Sequence, residues 1–181
     1  MHLETARQRL SACLGLEGHS RRTAGLVLEA AELLRLPRPT ELALAAYLHD
    51  LGKTAWPEEF FTKYPLTEQD WVYIKTHPLM GEQLAAELWP DVPAAVRAVI
   101  RGHHERPGGR SYPDGLAEPP VGTLLVAAAD ALDAMTHGRP YRPDGVMPVE
   151  AAIMEIARWA PAAVVAALAG AVMRGRPNKR L

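Results

Sequence analysis

Leu48-His49-Asp50-Leu51-Gly52-Lys53 sets a histidine beside an aspartate at the end of an apolar run. Upstream, Leu42, Leu44, Ala45, Ala46, Tyr47, Leu48 and Leu51 cover almost every face of residues 40–51, the pattern of a helix buried in a core rather than lying on its surface. Gly52 is expected to stop that helix. Desolvating an ionised carboxylate costs several kcal/mol even after relaxation, so Asp50 requires a cationic partner. A helix C-terminus carries partial negative charge that favours a cation, and His and Asp are the N and O donors that borderline divalent metals accept. Taken alone, the dipeptide fits two arrangements equally: part of a metal site, or a buried aspartate held by an arginine with His49 a satisfied core histidine.

Outward from this stretch, helical period dominates and no run alternates as a half-buried strand does. The expected fold is all-α, a single domain of about eight helices. One helix is predicted over about residues 3–14, ended by Gly15, and a second over about 18–36, closed by Pro37 and Pro39. Thr67-Glu68-Gln69-Asp70 resembles a capping box that opens a short helix to about Thr76. Pro78 places His77 at a junction between helices. A further helix runs to Leu88, and Pro90-Asp91-Val92-Pro93 starts the next, which ends near His103 and His104. Residues 105–120 are rich in Gly and Pro, long enough for a functional loop beside a site. Helices are expected at about 120–136, 148–159 and 162–173. The whole of 1–181 is read as one domain, with a motif-bearing core at about 16–145, C-terminal helices at 146–174 and a frayed tail at 175–181.

Composition narrows the function classes. Lys+Arg 20 against Asp+Glu 21 gives a formal charge of −1, so no global basic field attracts a nucleic acid polymer or anionic lipid, and phosphate recognition must be local. The single Cys13 excludes an internal disulfide framework and fits a reducing, cytoplasmic setting. The N-terminal residues mix charged and apolar side chains and do not read as a signal peptide. The most apolar run, Trp159 to Met173, contains Pro161 and falls short of the roughly 20 residues that span a bilayer. It is expected to be a core helix or the face of a homodimer.

His19, His49, His77, His103 and His104 lie at suggestive places near predicted helix ends, whereas His2 and His137 look incidental. His19 shares a row with Thr23, Val27, Ala30 and Leu34, close to an inward face. His103 and His104 follow Val96, Val99 and Ile100, so at least one imidazole is expected to face the interior. Asp130 sits within the apolar run 124–132, where it too needs a cation or an arginine. Asp133 shares its face and reads as a group that fixes a histidine or arginine.

The order His19-Ser20-Arg21-Arg22, His49-Asp50-Leu51-Gly52-Lys53, His77-Pro78, His103-His104-Glu105-Arg106, Tyr112-Pro113-Asp114-Gly115-Leu116, 129–136 (ADALDAMT) and Arg139-Pro140-Tyr141-Arg142 resembles the HD-GYP branch of the HD-domain phosphohydrolases. That resemblance implies an all-helical domain with a two- or three-metal centre, usually iron or manganese, that hydrolyses the bacterial messenger cyclic di-GMP to linear pGpG or GMP. It makes His19, His49, Asp50, His77, His103, His104 and Asp130 metal ligands, with Asp50 bridging. Lys53, Arg106, Tyr112, Arg139 and Arg142 fall at substrate and phosphate contacts, Lys53 joining Asp50 in catalysis, and Glu105 and Asp133 become supporting groups. Such a centre suits phosphodiester hydrolysis, since two ions about 3.5–4 Å apart lower the pKa of a bridging water and stabilise the phosphoryl oxygens.

The chain also departs from that family. Its Gly-Tyr-Pro is here Ser111-Tyr112-Pro113, and a glycine needed for positive φ or close approach would make Ser111 alter the loop and the substrate preference. Gly15 stands where three-metal members carry a glutamate, and Glu17 is out of register, so two metals are expected. After Arg142 the resemblance fades. The 181 residues contain no stretch that reads as a receiver, sensor or cyclase domain, and an input signal is expected through a regulatory partner in trans or through the substrate level. Two alternatives remain open: an HD-domain phosphohydrolase for another nucleotide, and a non-catalytic signalling or interaction module that keeps metals for stability.

Overall fold

In the computed structural model, which describes residues 2–137 and 146–175, proline and glycine set most helix boundaries. The α-helices are α1 (His2–Ser11), α2 (Leu16–Leu33), α3 (Pro39–Leu48), α4 (Glu68–Ile74), α5 (His77–Leu88), α6 (Ala94–Gly102), α7 (Val121–Thr136), α8 (Val149–Ile156) and α9 (Ala162–Gly175). Two 3-10 turns, Leu51–Ala55 and Glu58–Phe61, lie between α3 and α4. The described residues form no strand. The tail beyond 175, including most of the stretch expected to fray, lies outside the described residues.

Two apolar helices form the centre. α7 is buried without a break from Thr123 to Asp130, and α3 buries Ala45, Ala46 and Leu48. α2 packs against α3, α7 and α9, while α6 closes on α3 and α5. One continuous core runs from Leu10 and Val27 through Leu51, Ile100 and Leu125 to Ile156, Val164 and Leu168, so α8 and α9 share it with the motif-bearing helices. No described helix is long and apolar enough to cross a membrane.

Three local details shape the site. Gly15 sits at φ 72° as the residue before α2, and its left-handed turn lets the helix start at Leu16, earlier than the expected residue 18. Gly52 does not act as a left-handed helix stop, because its φ is not positive. Its role is clearance: an added Cβ would overlap the His77 carbonyl and come within 2.7 Å of the Gly81 nitrogen, so only glycine lets the 51–55 turn lie against the start of α5. The expected capping box is formed, with Asp70 N–H donating to Thr67 Oγ1 (3.2 Å) and Thr67 N–H to Asp70 Oδ2 (2.8 Å).

Candidate metal centre

Helix ends deliver most of the site. His49 caps the C-terminus of α3 and leads into Asp50. His103 caps α6 and is followed by His104, and His77 opens α5. His19 comes from the buried face of α2, and Asp130 from α7. Two helix C-termini thus point negative partial charge at the same place. His49, Asp50 and His103 are fully buried, and His77 is 1 % exposed.

The ligand atoms fall into two groups that share Asp50. On one side His19 Nε2 lies 3.2 Å from His49 Nε2 and 3.1 Å from Asp130 Oδ1, and Asp50 Oδ2 lies 3.4 Å from His49 Nε2. On the other side His77 Nε2 lies 3.1 Å from His103 Nε2 and 3.2 Å from His104 Nε2, and Asp50 Oδ1 lies 3.3 Å from His77 Nε2. His19, His49 and Asp50 form one trio able to hold an ion, and His77, His103 and His104 another.

Protonation shows that the groups fit divalent cations. Nδ1 of His49, His77 and His103 lies 2.6, 2.7 and 2.7 Å from the carbonyls of Ala46, Ile74 and Ile100. A carbonyl only accepts, so each Nδ1 carries a proton and the ring is turned with its Nε2 towards the cluster. His19 Nδ1 faces Asp133 Oδ2 at 2.6 Å, with the same consequence. Nε2 atoms therefore face one another at little over 3 Å, and Asp50 Oδ1 is buried with no hydrogen-bond donor among the described residues. Such a cluster calls for positive charge between its members. Burial, reinforced for His103 by the charge of neighbouring imidazoles, lowers the pKa of His77 and His103 and takes His104 down to about 3, which keeps these rings neutral as ligands must be. Burial opposes charge on His49 as well, but Asp50 and Asp130 outweigh it and push its pKa up to about 10. Without a metal, a proton takes the cation's place there. Burial likewise opposes ionisation of Asp50 and Asp130, yet Lys53 and His49 on the first, and His19 and His49 on the second, hold both well below the usual carboxylate range.

Around the ligands, Lys53 Nζ donates to Asp50 Oδ2 at 2.6 Å. Asp133 receives His19 Nδ1 and a two-pronged Arg22 (2.7 and 2.9 Å), so the carboxylate fixes an imidazole and is itself fixed. Arg22, to which sequence reasoning assigned no role, lies one turn beyond His19, and that spacing was the available signal. His137, read as incidental, has Nδ1 3.0 Å from Asp133 Oδ1. Glu105 orients no imidazole; it accepts from Ser111 Oγ and from the amides of Asp114, Gly115 and Leu116, anchoring the loop. Ser111 does not occupy the left-handed region, so its backbone φ does not call for glycine. Arg106 lies over the Trp159 ring at 4.0 Å and donates to the carbonyls of His103 and Glu105, closing the end of α6. Glu17 pairs with Arg21 at 2.7 Å. Arg139 and Arg142 lie outside the described residues.

Above the ligands opens a cleft of about 260 Å³. Lys53, His77, His104 and Tyr112 line it, with an aromatic wall from Trp56, Phe60, Phe61 and Trp71 that sequence reasoning missed. The short 58–61 turn that carries two of these rings is too brief to leave a periodic signal.

A family profile described as HD domain matches residues 10–160. A cyclic di-GMP phosphodiesterase of Pseudomonas aeruginosa is 36% identical over 146 residues, covering 78% of this chain and 34% of that protein. A cyclic di-GMP phosphodiesterase of Thermotoga maritima is also 36% identical, over 65% of this chain and 32% of its own length. A 3'3'-cGAMP-specific phosphodiesterase of Vibrio cholerae is 32% identical over 75% of this chain and 30% of that protein. The chain thus spans about a third of the length of these curated relatives. Among solved structures, an HDG"Y"P protein from Bdellovibrio bacteriovorus superposes with TM-score 0.69 at 24% identity, covering 88% of this chain and 52% of that one. The HD domain of the L. monocytogenes phosphodiesterase PgpH, in complex with cyclic-di-AMP, gives TM-score 0.73 at 15% identity over 98% and 99% of the two chains. At these identities the structural likeness is one of fold. The profile covers most of the chain, and the fold agrees with it: the chain belongs to the HD-domain family.

Proposed function

We propose that this chain is a metal-dependent phosphodiesterase that hydrolyses cyclic di-GMP to linear pGpG or GMP. The observation that carries the reading is the convergence of imidazole Nε2 atoms on the buried Asp50 carboxylate, one oxygen of which has no donor among the described residues. His19, His49, Asp50 and Asp130 would hold one divalent ion, and His77, His103 and His104, with the other Asp50 oxygen, a second. The N and O donor set without thiolate favours iron or manganese. Two such ions supply, when bound, Lewis-acid stabilisation of phosphoryl charge and a nucleophile from water at neutral pH.

The chain's own residues do the rest. Lys53, held beside Asp50 at the cleft floor, offers an ammonium to a phosphodiester oxygen as charge builds on it. Asp133, itself held by Arg22, receives Nδ1 of His19 and so aims that ring's Nε2 at the ion. The aromatic wall excludes water and presents flat faces to a nucleobase. Tyr112 faces the same cleft. Arg139 and Arg142 are assigned to the phosphates on the family resemblance alone, and Arg106 is assigned chiefly to holding the α6 terminus. A homodimer and a regulatory partner in trans are compatible with this reading.

The test is chromatography of products after incubation with Fe(II) or Mn(II) and a panel of cyclic di-GMP, 3'3'-cGAMP and cyclic-di-AMP. Preferential conversion of cyclic di-GMP is expected. The relative from Vibrio cholerae named for 3'3'-cGAMP supports a second reading, a related cyclic dinucleotide as substrate, and preferential turnover of 3'3'-cGAMP would replace the first with it. No turnover of any member by metal-loaded protein would contradict both.

A further inference from the structure

The five imidazoles of the centre are not held alike. His49, His77 and His103 each donate Nδ1–H to a backbone carbonyl, and His19 donates to Asp133. His104 has no such acceptor among the described residues; its one hydrogen-bond-range contact is Nε2 to Nε2 of His77. Its ring lies instead against Tyr112, with centroids 4.7 Å apart and planes at 24°. A ligand histidine without a partner on its second nitrogen is free to turn about its own axis, which spoils the aim of the first.

Tyr112 is itself pinned from both sides. Before it, Ser111 Oγ donates to Glu105 Oε2 at 2.6 Å and accepts the Arg106 amide at 2.9 Å. After it, the Asp114 amide donates to Glu105 Oε1 at 2.7 Å. Glu105 is fully buried, so one rigid carboxylate fixes the backbone on either side of the ring. The serine that stands in for a glycine is therefore part of the fastening.

We infer that Tyr112 is a positioning residue for His104, its ring replacing the hydrogen bond that orients each of the other four imidazoles. This role rests on the reading of His104 as a metal ligand and is separate from any contact of the Tyr112 hydroxyl with substrate. The two roles divide by variant: Tyr112→Phe keeps the stacked ring and removes the hydroxyl, whereas Tyr112→Ala removes both.

Mn(II) binding to the full chain, measured by titration calorimetry without substrate, tests the inference. Tyr112→Phe is expected to bind within about twofold of wild type, and Tyr112→Ala to weaken one Mn(II) site by about tenfold, the lower end of the effect of losing a ligand's support. Circular dichroism establishes that each variant is folded; if Tyr112→Ala is not, Tyr112→Leu carries the test with the same outcomes. Unaltered Mn(II) affinity in the variant without the ring overturns the positioning role. Equal weakening in Tyr112→Phe overturns it too, since the hydroxyl and not the ring would then matter. Absence of Mn(II) binding by wild type is a different failure, one that overturns the metal centre itself.

Discussion

The floor of the cleft and its 105–117 rim are built by opposite means. On the floor, histidines sit at helix ends, and each of three rings is set by a carbonyl three residues back, in the last turn of the preceding helix. On the rim there is no helix, and the loop is held by the Glu105 carboxylate through Ser111 and three amides, with Arg101 of α6 gripping Asp114 at 2.6 and 2.7 Å. The floor is thus fixed by the packing that makes the core, whereas the rim is fastened by polar side chains. Function is expected to be harder to perturb from the floor without unfolding the protein, and easier to retune from the rim.

Lys53→Met tests the floor's chemistry apart from its assembly. Turnover of cyclic di-GMP is expected to fall on the order of 10²–10³-fold, the usual cost of losing one preorganised charge-stabilising group. Metal content should stay at the wild-type level, and a loss of metal in this variant would make Lys53 structural. Asp133→Ala acts through a ligand instead: with His19 no longer held, affinity for metal should drop about 10–100-fold, read as the concentration of Mn(II) needed for half-maximal turnover. An unshifted Mn(II) requirement would break the link between Asp133 and the centre.

Two further substitutions contrast packing with suspension. In Gly52→Ala the new methyl meets backbone rather than a flexible side chain, so about 1–3 kcal/mol of stability should be lost in denaturant unfolding. A variant as stable as wild type would mean that the turn and α5 are not in tight contact. Glu105→Gln removes the charge but keeps the shape, and should speed hydrogen exchange at the Asp114, Gly115 and Leu116 amides while leaving Ile100 and His103 protected. Uniform exchange across both regions would erase the contrast.

The smallest effect is expected away from the cleft. Asp70 is held down to about 2, first by Lys63 and then by the Thr67 amide and hydroxyl. A depressed carboxylate stabilises the fold above its unfolded value of about 3.9, and that contribution is lost as pH falls toward the folded value. Amide exchange in α4 should therefore rise between about pH 4 and pH 2, and Asp70→Asn should abolish the rise.

What the sequence disclosed followed the cost of burying charge. His49-Asp50 and Asp130 stood out because ionisable groups in apolar runs demand partners, and the capping box at Thr67 was visible because its partners are three residues apart. Other features left no such trace. Asp133 reads as a group that fixes a histidine or arginine, but which arginine is not legible, since Arg22 lies 111 positions away and only the packing of α2 on α7 joins them. Glu105 finds backbone amides, which every residue has, so its role as an anchor carries no side-chain signature. Gly52 was taken for a helix stop because sequence cannot distinguish a glycine chosen for its φ from one chosen for clearance. Even so, the all-α class and most helix boundaries were within reach of the chain's pattern, and the histidines and aspartates gathered at the floor are those that the family resemblance marks as ligands.

The most direct test of the central claim is the metal content of anaerobically purified protein, wild type beside Asp50→Ala, with cyclic di-GMP hydrolysis measured on the same samples. Two equivalents of iron or manganese per chain, lost together with turnover when the shared carboxylate is removed, is the expected result. Metal content and hydrolysis unchanged in Asp50→Ala would contradict it.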